Sequence, residues 1–150
     1  FLCRKDCVMA LTWDTSMTTG IPRIDTQHRE LIAQIKSLVE AMREGQGKSE
    51  LGKMFGFLGE YVIKHFSDEE AEMERFKCPV AATNRIAHRQ FAKKFSELQA
   101  RFEQEGPTSA MVLEVQRALA DWIVMHIKTV DTKLAACVAS QNLAVAHNTP

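Results

Sequence analysis

Apolar side chains recur along this chain at intervals of three and four, the spacing of helices with one face turned to a core. The first stripe runs from about Ile24 to Glu44 through Ile24, Leu31, Ile32, Ile35, Leu38, Val39 and Met42, and Gly45-Gln46-Gly47 closes it. The second spans roughly Ser49 to Phe76, marked by Leu51, Met54, Phe55, Leu58, Tyr61, Val62, Phe66, Met73 and Phe76. Cys78-Pro79 breaks that pattern, with Pro79 suited to the first turn of the next helix. The third runs from Pro79 to about Glu105 through Phe91, Phe95, Leu98 and Phe102. Gly106-Pro107-Thr108 stops it and starts a fourth, reaching about Val138 through Val112, Val115, Leu119, Trp122 and Ile123. No strand-like alternation competes. Four such segments with short connections predict an all-α fold, an up-down-up-down antiparallel four-helix bundle with an N-terminal arm.

The flanks lack this period. Residues 1–10 read as an N-terminal linker, 11–138 as the bundle domain and 139–150 as a polar C-terminal linker or tail. Between Leu11 and Pro22 the mixture of aromatic, hydroxyl, Gly and Pro residues describes an ordered arm whose Trp13 covers the side or end of the bundle. Gly52, Gly56 and Gly59 fall inside the second helix, each costing about 1 kcal/mol relative to Ala, a cost that close approach of a neighbouring helix would repay.

Composition narrows the function classes. With 19 basic and 19 acidic residues the net charge is near zero, which argues against a nucleic-acid partner. No apolar run is long enough to span a bilayer, and no secretory pattern opens the chain. The four cysteines, Cys3, Cys7, Cys78 and Cys137, do not form a disulfide framework and are expected to be ordinary reduced thiols, in a cytoplasmic protein. Because the chain begins with Phe1, it is expected to be part of something longer.

Several stripe positions carry the wrong chemistry for a core. His28, His65, Glu69, Asn84, His88 and His126 continue the inward rows, and Asp131 follows His126. A buried polar side chain without a partner costs roughly 1 to 3 kcal/mol, and an unpaired charge more. A metal between these groups satisfies them together. His65 and Glu69 are four residues apart, as are Asn84 and His88, so each pair shares a helix face. His126 and Asp131 are five apart, about 140° around a regular helix. The fourth helix therefore needs a one-residue bulge for both to reach one site. Imidazoles with carboxylates suit iron, with manganese or zinc compatible by affinity alone, and two carboxylates among four histidines point to two ions. Nearby, Glu70, Glu72 and Glu74 are expected to form a solvated acidic face, Met73 to be core, and His147 to lie in the tail without a role.

These residues, in this order, resemble the bacterial hemerythrin family of non-haem di-iron, oxygen-binding four-helix bundles. The matching stretches are Gly20-Ile21, Ile24-Asp25-Thr26-Gln27-His28, His65-Phe66 with Glu69-Glu70, Cys78-Pro79, His88-Arg89-Gln90-Phe91, and Trp122 with His126-Ile127 and Asp131, covering about residues 11 to 137. The resemblance implies that His28 and His65 bind one iron, where dioxygen sits, and that His88 and His126 bind the other. It further implies that Glu69 and Asp131 bridge the pair with an oxo or hydroxo group, and that Leu31, Trp122 and Ile123 line an apolar oxygen pocket. Asn84 stands where the family has a fifth histidine, so the iron of His88 and His126 should lack an imidazole, with solvent expected in its place rather than the shorter amide.

The function that follows is binding of dioxygen or a related small ligand, most simply as an oxygen or redox sensor domain fused to a signalling output domain. A stand-alone oxygen carrier is the alternative, and a di-iron peroxidase or oxidase ranks last because no separate acid/base residue or substrate cleft is evident. The chain itself is not expected to be an enzyme.

Overall fold

The computed structural model describes residues 12–147. The expected linker at 1–10, with Cys3 and Cys7, lies outside them, as do residues 148–150. A short 3-10 turn, Thr15–Met17, precedes α1 (Pro22–Arg43), α2 (Gly47–Arg75), α3 (Ala81–Glu105) and α4 (Ser109–His126). A π-helical segment, Ile127–Asp131, then leads into α5 (Lys133–His147), so the fourth rod of the bundle is α4, the π segment and α5 together. There is no strand among the described residues, and none of the described helices is long and apolar enough to cross a membrane.

Local chemistry sets the helix ends. Pro22 occupies the first turn of α1, where its missing N–H costs nothing. Thr108 Oγ1 accepts from the Met111 amide at 3.1 Å and caps α4. α1 ends where Gly45 takes φ +74°, letting Gln46 N–H reach back to the Ala41 carbonyl at 2.7 Å. α2 ends the same way, except that Lys77 takes the left-handed conformation (φ 51°) while Cys78 N–H bonds the Met73 carbonyl at 2.8 Å.

The bundle holds two apolar clusters with a polar layer between them. The larger one includes Leu31, Ile35, Leu58, Phe66, Phe91, Phe95, Leu119 and Ile123. The smaller one gathers Met73, Cys78 and Leu134 with Ile21, Val80 and Val138 around them. Between the two, His28, His65, Glu69, Asn84, His88, His126 and Asp131 are all buried. Met73 is core, as its stripe position implied.

Along the arm, Trp13 packs on the larger cluster with the Arg29 guanidinium 3.9 Å over its ring, so it covers the flank of α1. Thr19 fastens the arm to α1: its backbone N–H and its hydroxyl both donate to Asp25 Oδ1 at 2.8 Å.

Two expectations, on the cysteines and on the α2 glycines, need correction. Cys78 and Cys137 are joined in a disulfide, tying the α2–α3 turn to α5 across 59 residues of sequence; they are not free thiols. The fourth rod stays helical past residue 139, to His147, with Ala139, Ala144 and Ala146 supplying residues of the highest helix propensity. No close helix approach explains the α2 glycines: a Cβ on Gly56 or Gly59 would meet nothing within 4 Å, and on Gly52 only Phe102 Cζ at 3.4 Å. Nothing in the structure explains Gly56 and Gly59.

Candidate metal centre

His28 comes from α1, His65 and Glu69 from α2, Asn84 and His88 from α3, and His126 and Asp131 from the fourth rod. The last pair depends on the π segment. Thr132 N–H bonds the Ile127 carbonyl at 3.0 Å, a five-residue step that widens the turn and swings Asp131 back toward the face of His126. The hydroxyls of Thr129 and Thr132 donate to the carbonyls of Met125 and Lys128, at 2.6 and 3.0 Å, where the wider turn disturbs regular pairing. The bulge required by the five-residue spacing is present.

The carboxylates stand between two pairs of imidazoles. Glu69 Oε2 is 3.3 Å from His28 Nε2 and 3.7 Å from His65 Nε2, while Glu69 Oε1 is 3.4 Å from His88 Nε2. Asp131 repeats the arrangement, with Oδ2 3.3 Å from His28 Nε2 and Oδ1 3.0 Å from His126 Nε2. The donor atoms form two groups that share Glu69: His28, His65 and Glu69, and Glu69, His88, His126 and Asp131.

Asn84 closes the second group. Its Nδ2 donates to Glu69 Oε1 at 2.7 Å, which turns Oδ1 toward His126 Nε2, also at 2.7 Å. The amide orientation that sequence left open is thus set by Glu69.

Two residues outside the cluster aim its imidazoles. His65 Nδ1–H donates to Gln27 Oε1 at 3.0 Å, and Gln27 in turn donates to Asp68 at 2.8 Å. His88 Nδ1–H donates to Glu70 Oε1 at 2.9 Å, and Arg85 lies 3.5 Å from the other Glu70 oxygen. Each contact leaves Nε2 facing the cluster as an acceptor. Sequence reasoning missed both: Glu70 is not part of a purely solvated face, although Glu72 and Glu74 do pair with surface arginines. Ring contacts hold the imidazoles from outside. Phe66 stacks on His88 at 3.7 Å, and Trp122 stacks on His126 at 4.3 Å. Trp122 therefore lies against the His88 and His126 pair, while Leu31 and Ile123 are buried in the larger apolar cluster.

The residues fit a cation pair. His28 Nδ1 and Nε2, Glu69 Oε2, His88 Nε2 and both Asp131 oxygens are buried without a hydrogen-bond partner, a cost that a bundle core does not normally carry. Electrostatics show the same mismatch. Burial opposes charge on His28, yet Asp131 and Glu69 outweigh it and lift the imidazole to about 9. Burial drives His65 down to about 3. For Glu69, burial is overcome by the imidazoles of His28 and His88, which hold it well below the usual carboxylate range. Burial and the neighbouring Glu69 charge raise Asp131. Divalent cations would satisfy both carboxylates and every Nε2 at once.

Fold and site together define a helical bundle built to hold two metal ions in its dry interior. The Hemerythrin HHE cation binding domain matches residues 19–138. A bacteriohemerythrin of Stenotrophomonas maltophilia is 30% identical over 125 residues, 83% of this chain and 79% of that protein. The bacteriohemerythrin of Methylococcus capsulatus is 27% identical over 131 residues, 87% of this chain and 98% of its own. A myohemerythrin of Sipunculus nudus is 28% identical over 121 residues, 81% of this chain and 88% of that protein. The chain belongs to the hemerythrin family, whose bundles bind a non-haem di-iron centre and dioxygen.

Proposed function

We propose that this domain senses dioxygen through a di-iron centre held by His28 and His65 on one side, His88 and His126 on the other, and Glu69 and Asp131 between them. The observation that carries the reading is the way each carboxylate gives one oxygen to each imidazole pair. When bound, the iron pair supplies the redox-active cations on which dioxygen binding depends. The protein's share is to position and to exclude water. Gln27 and Glu70 keep the Nδ1 protons of His65 and His88 in place, so both rings offer Nε2 to the centre. Phe66, Trp122, Leu31 and Ile123 supply apolar surface around it.

Asn84 favours sensing over carriage. An amide oxygen is a weaker neutral donor than imidazole, so the His88 and His126 side is held by one strong donor fewer. A sensor tolerates oxidation that a carrier does not. The route outward is short: Asp131 ends the π segment, and α5 starts at Lys133. A shift of Asp131 moves the first turn of α5, and a fused signalling domain would read that movement. Stopped-flow mixing of the reduced, iron-loaded protein with oxygen tests this. A short-lived oxygenated form, with altered hydrogen exchange in α5 after oxidation, is expected. A stable, fully reversible oxygenated form with unchanged exchange would make the protein a carrier.

A further inference from the structure

The disulfide between Cys78 and Cys137 belongs to the smaller apolar cluster, next to the buried polar layer. Asp131 ends the π segment, and Cys137 follows six residues later, less than two helical turns along the same rod. Between them Leu134 is fully buried and packs with Met73 and Cys78, so the start of α5 rests on the end of α2 through a few apolar contacts. Beyond Val138 that grip ends: from Ala139 to Ala144 only Gln141 is even half-buried. The cross-link is therefore the last firm hold on the rod that carries Asp131. What it steadies is a segment of irregular pairing, where Thr132 N–H reaches the Ile127 carbonyl at 3.0 Å. Asp131 matters to both halves of the centre, since its oxygens face His28 and His126.

The two sulfurs differ in access. Cys78 is buried, at 5% exposure, whereas Cys137 is half-buried, so an incoming thiolate meets Cys137 Sγ first. We propose that this disulfide is a thiol–disulfide exchange site, reduced by a dithiol through Cys137, and that its state sets how firmly Asp131 is held at the centre; the inference rests on the di-iron reading above. The chemistry balances with the dithiol alone. One dithiol thiolate bonds to Cys137 Sγ and expels Cys78 as a thiolate, which takes up a proton. The second dithiol thiolate attacks the mixed disulfide, closes the reagent's own disulfide and expels Cys137, which is protonated in turn. Two electrons and two protons thus pass to the protein. Leu134 stays packed, but without the covalent tie α5 opens locally more often, and Asp131 moves with its first turn.

The probe is dithiothreitol, removed before each measurement, on the full chain carrying Cys3→Ser and Cys7→Ser so that only this pair reacts. Thiol titration is expected to find no free thiol before treatment and two after it. Loss of iron to a chelator should be at least about tenfold faster after reduction and return to the slow rate on reoxidation. With Cys137→Ser it should be fast whether or not the reagent was used. Leu51→Ala controls for a general loss of stability: it removes buried packing eighteen residues, about 27 Å of helix, before Glu69 and should leave the rate within about twofold. Two free thiols before treatment, an unchanged rate after reduction, or equal acceleration by Leu51→Ala overturns the proposal. Hydrogen exchange of the metal-free protein separates this coupling from the di-iron reading. Reduction should speed exchange of the Thr132 amide, and unchanged exchange there would overturn the coupling even if iron is held. A chain that takes up no iron in either state would overturn the di-iron reading, while faster Thr132 exchange would still uphold the coupling.

Discussion

Asn84 donates its amide hydrogen to Oε1 of Glu69 at 2.7 Å, and by doing so turns its own oxygen toward Nε2 of His126. This one contact decides how the substituted position behaves. The amide is neutral, weakly donating and already committed to Glu69, so under the proposed assignment the ion beside His88 and His126 lacks the third imidazole that a histidine at this position would supply. Asn84→His restores an imidazole at a position whose side chain is fully buried and aimed at the centre. The variant is expected to hold its second iron at least about tenfold more tightly and to autoxidise more slowly. Chelator-release kinetics and the decay of the oxygenated form measure this. Equal release rates in both proteins would remove Asn84 from the account.

Glu70 and Gln27 give a paired test of which imidazole serves which ion. Glu70→Gln replaces the charged partner of His88, and Gln27→Leu deletes the partner of His65. Each is expected to weaken one ion roughly 10- to 100-fold while leaving the other in place. Stepwise metal loss followed by calorimetry distinguishes the two sites. Loss of both ions together in either variant would contradict the assignment of one pair of imidazoles to each.

The metal-free protein should be sensitive to alkali. His28 has its pKa raised to about 9 by Asp131 and Glu69, against an ordinary value near 6.5. A group raised on folding contributes stability that is complete below its unfolded pKa and is lost as pH rises toward the folded one. The raised pKa of Asp131 acts in the same direction. Urea midpoints of metal-free protein are thus expected to fall between pH 6.5 and 9. On the acid side His65, lowered to about 3, makes stability fall as pH drops below 6.5, and Asp131 opposes it. With metal bound the alkaline loss should vanish, because the ligands are then already deprotonated. A flat profile for the metal-free protein would show that these side chains do not face one another.

The disulfide has a consequence for α5. Cys78 and Cys137 close 59 residues of chain, so removing the cross-link is expected to cost about 2–4 kcal/mol. Cys137→Ser should show that loss in denaturant unfolding together with faster hydrogen exchange along α5. A dithiol reductant should reproduce both effects in wild type and add nothing in the variant. Identical unfolding with and without reductant would mean that the cross-link contributes no stability.

Much of this structure is legible in the sequence, for reasons particular residues make plain. The stripe of Leu51, Leu58 and Val62 running into His65 and Glu69 places imidazole and carboxylate on a core face, and nothing but ligation or pairing makes that tolerable. The five-residue step from His126 to Asp131 announces the π segment, because a regular helix would point the two apart. The roles of Gln27 and Glu70 do not show in the sequence because each adjoins a stronger signal, His28 or Glu69. Their role depends on how close α1, α2 and α3 come to one another, which no single helix encodes. Cys137 lies beyond the π segment, and periodicity read across such a break does not report which way α5 faces.

The most direct test of the central claim is the metal content of the purified protein together with its visible spectrum. Two irons per chain, with the charge-transfer absorption of an oxo-bridged pair that is lost in the Glu69→Ala and Asp131→Ala variants, is the predicted result. A metal-free protein that is equally folded and equally stable, with no such bands after iron is supplied, would contradict it.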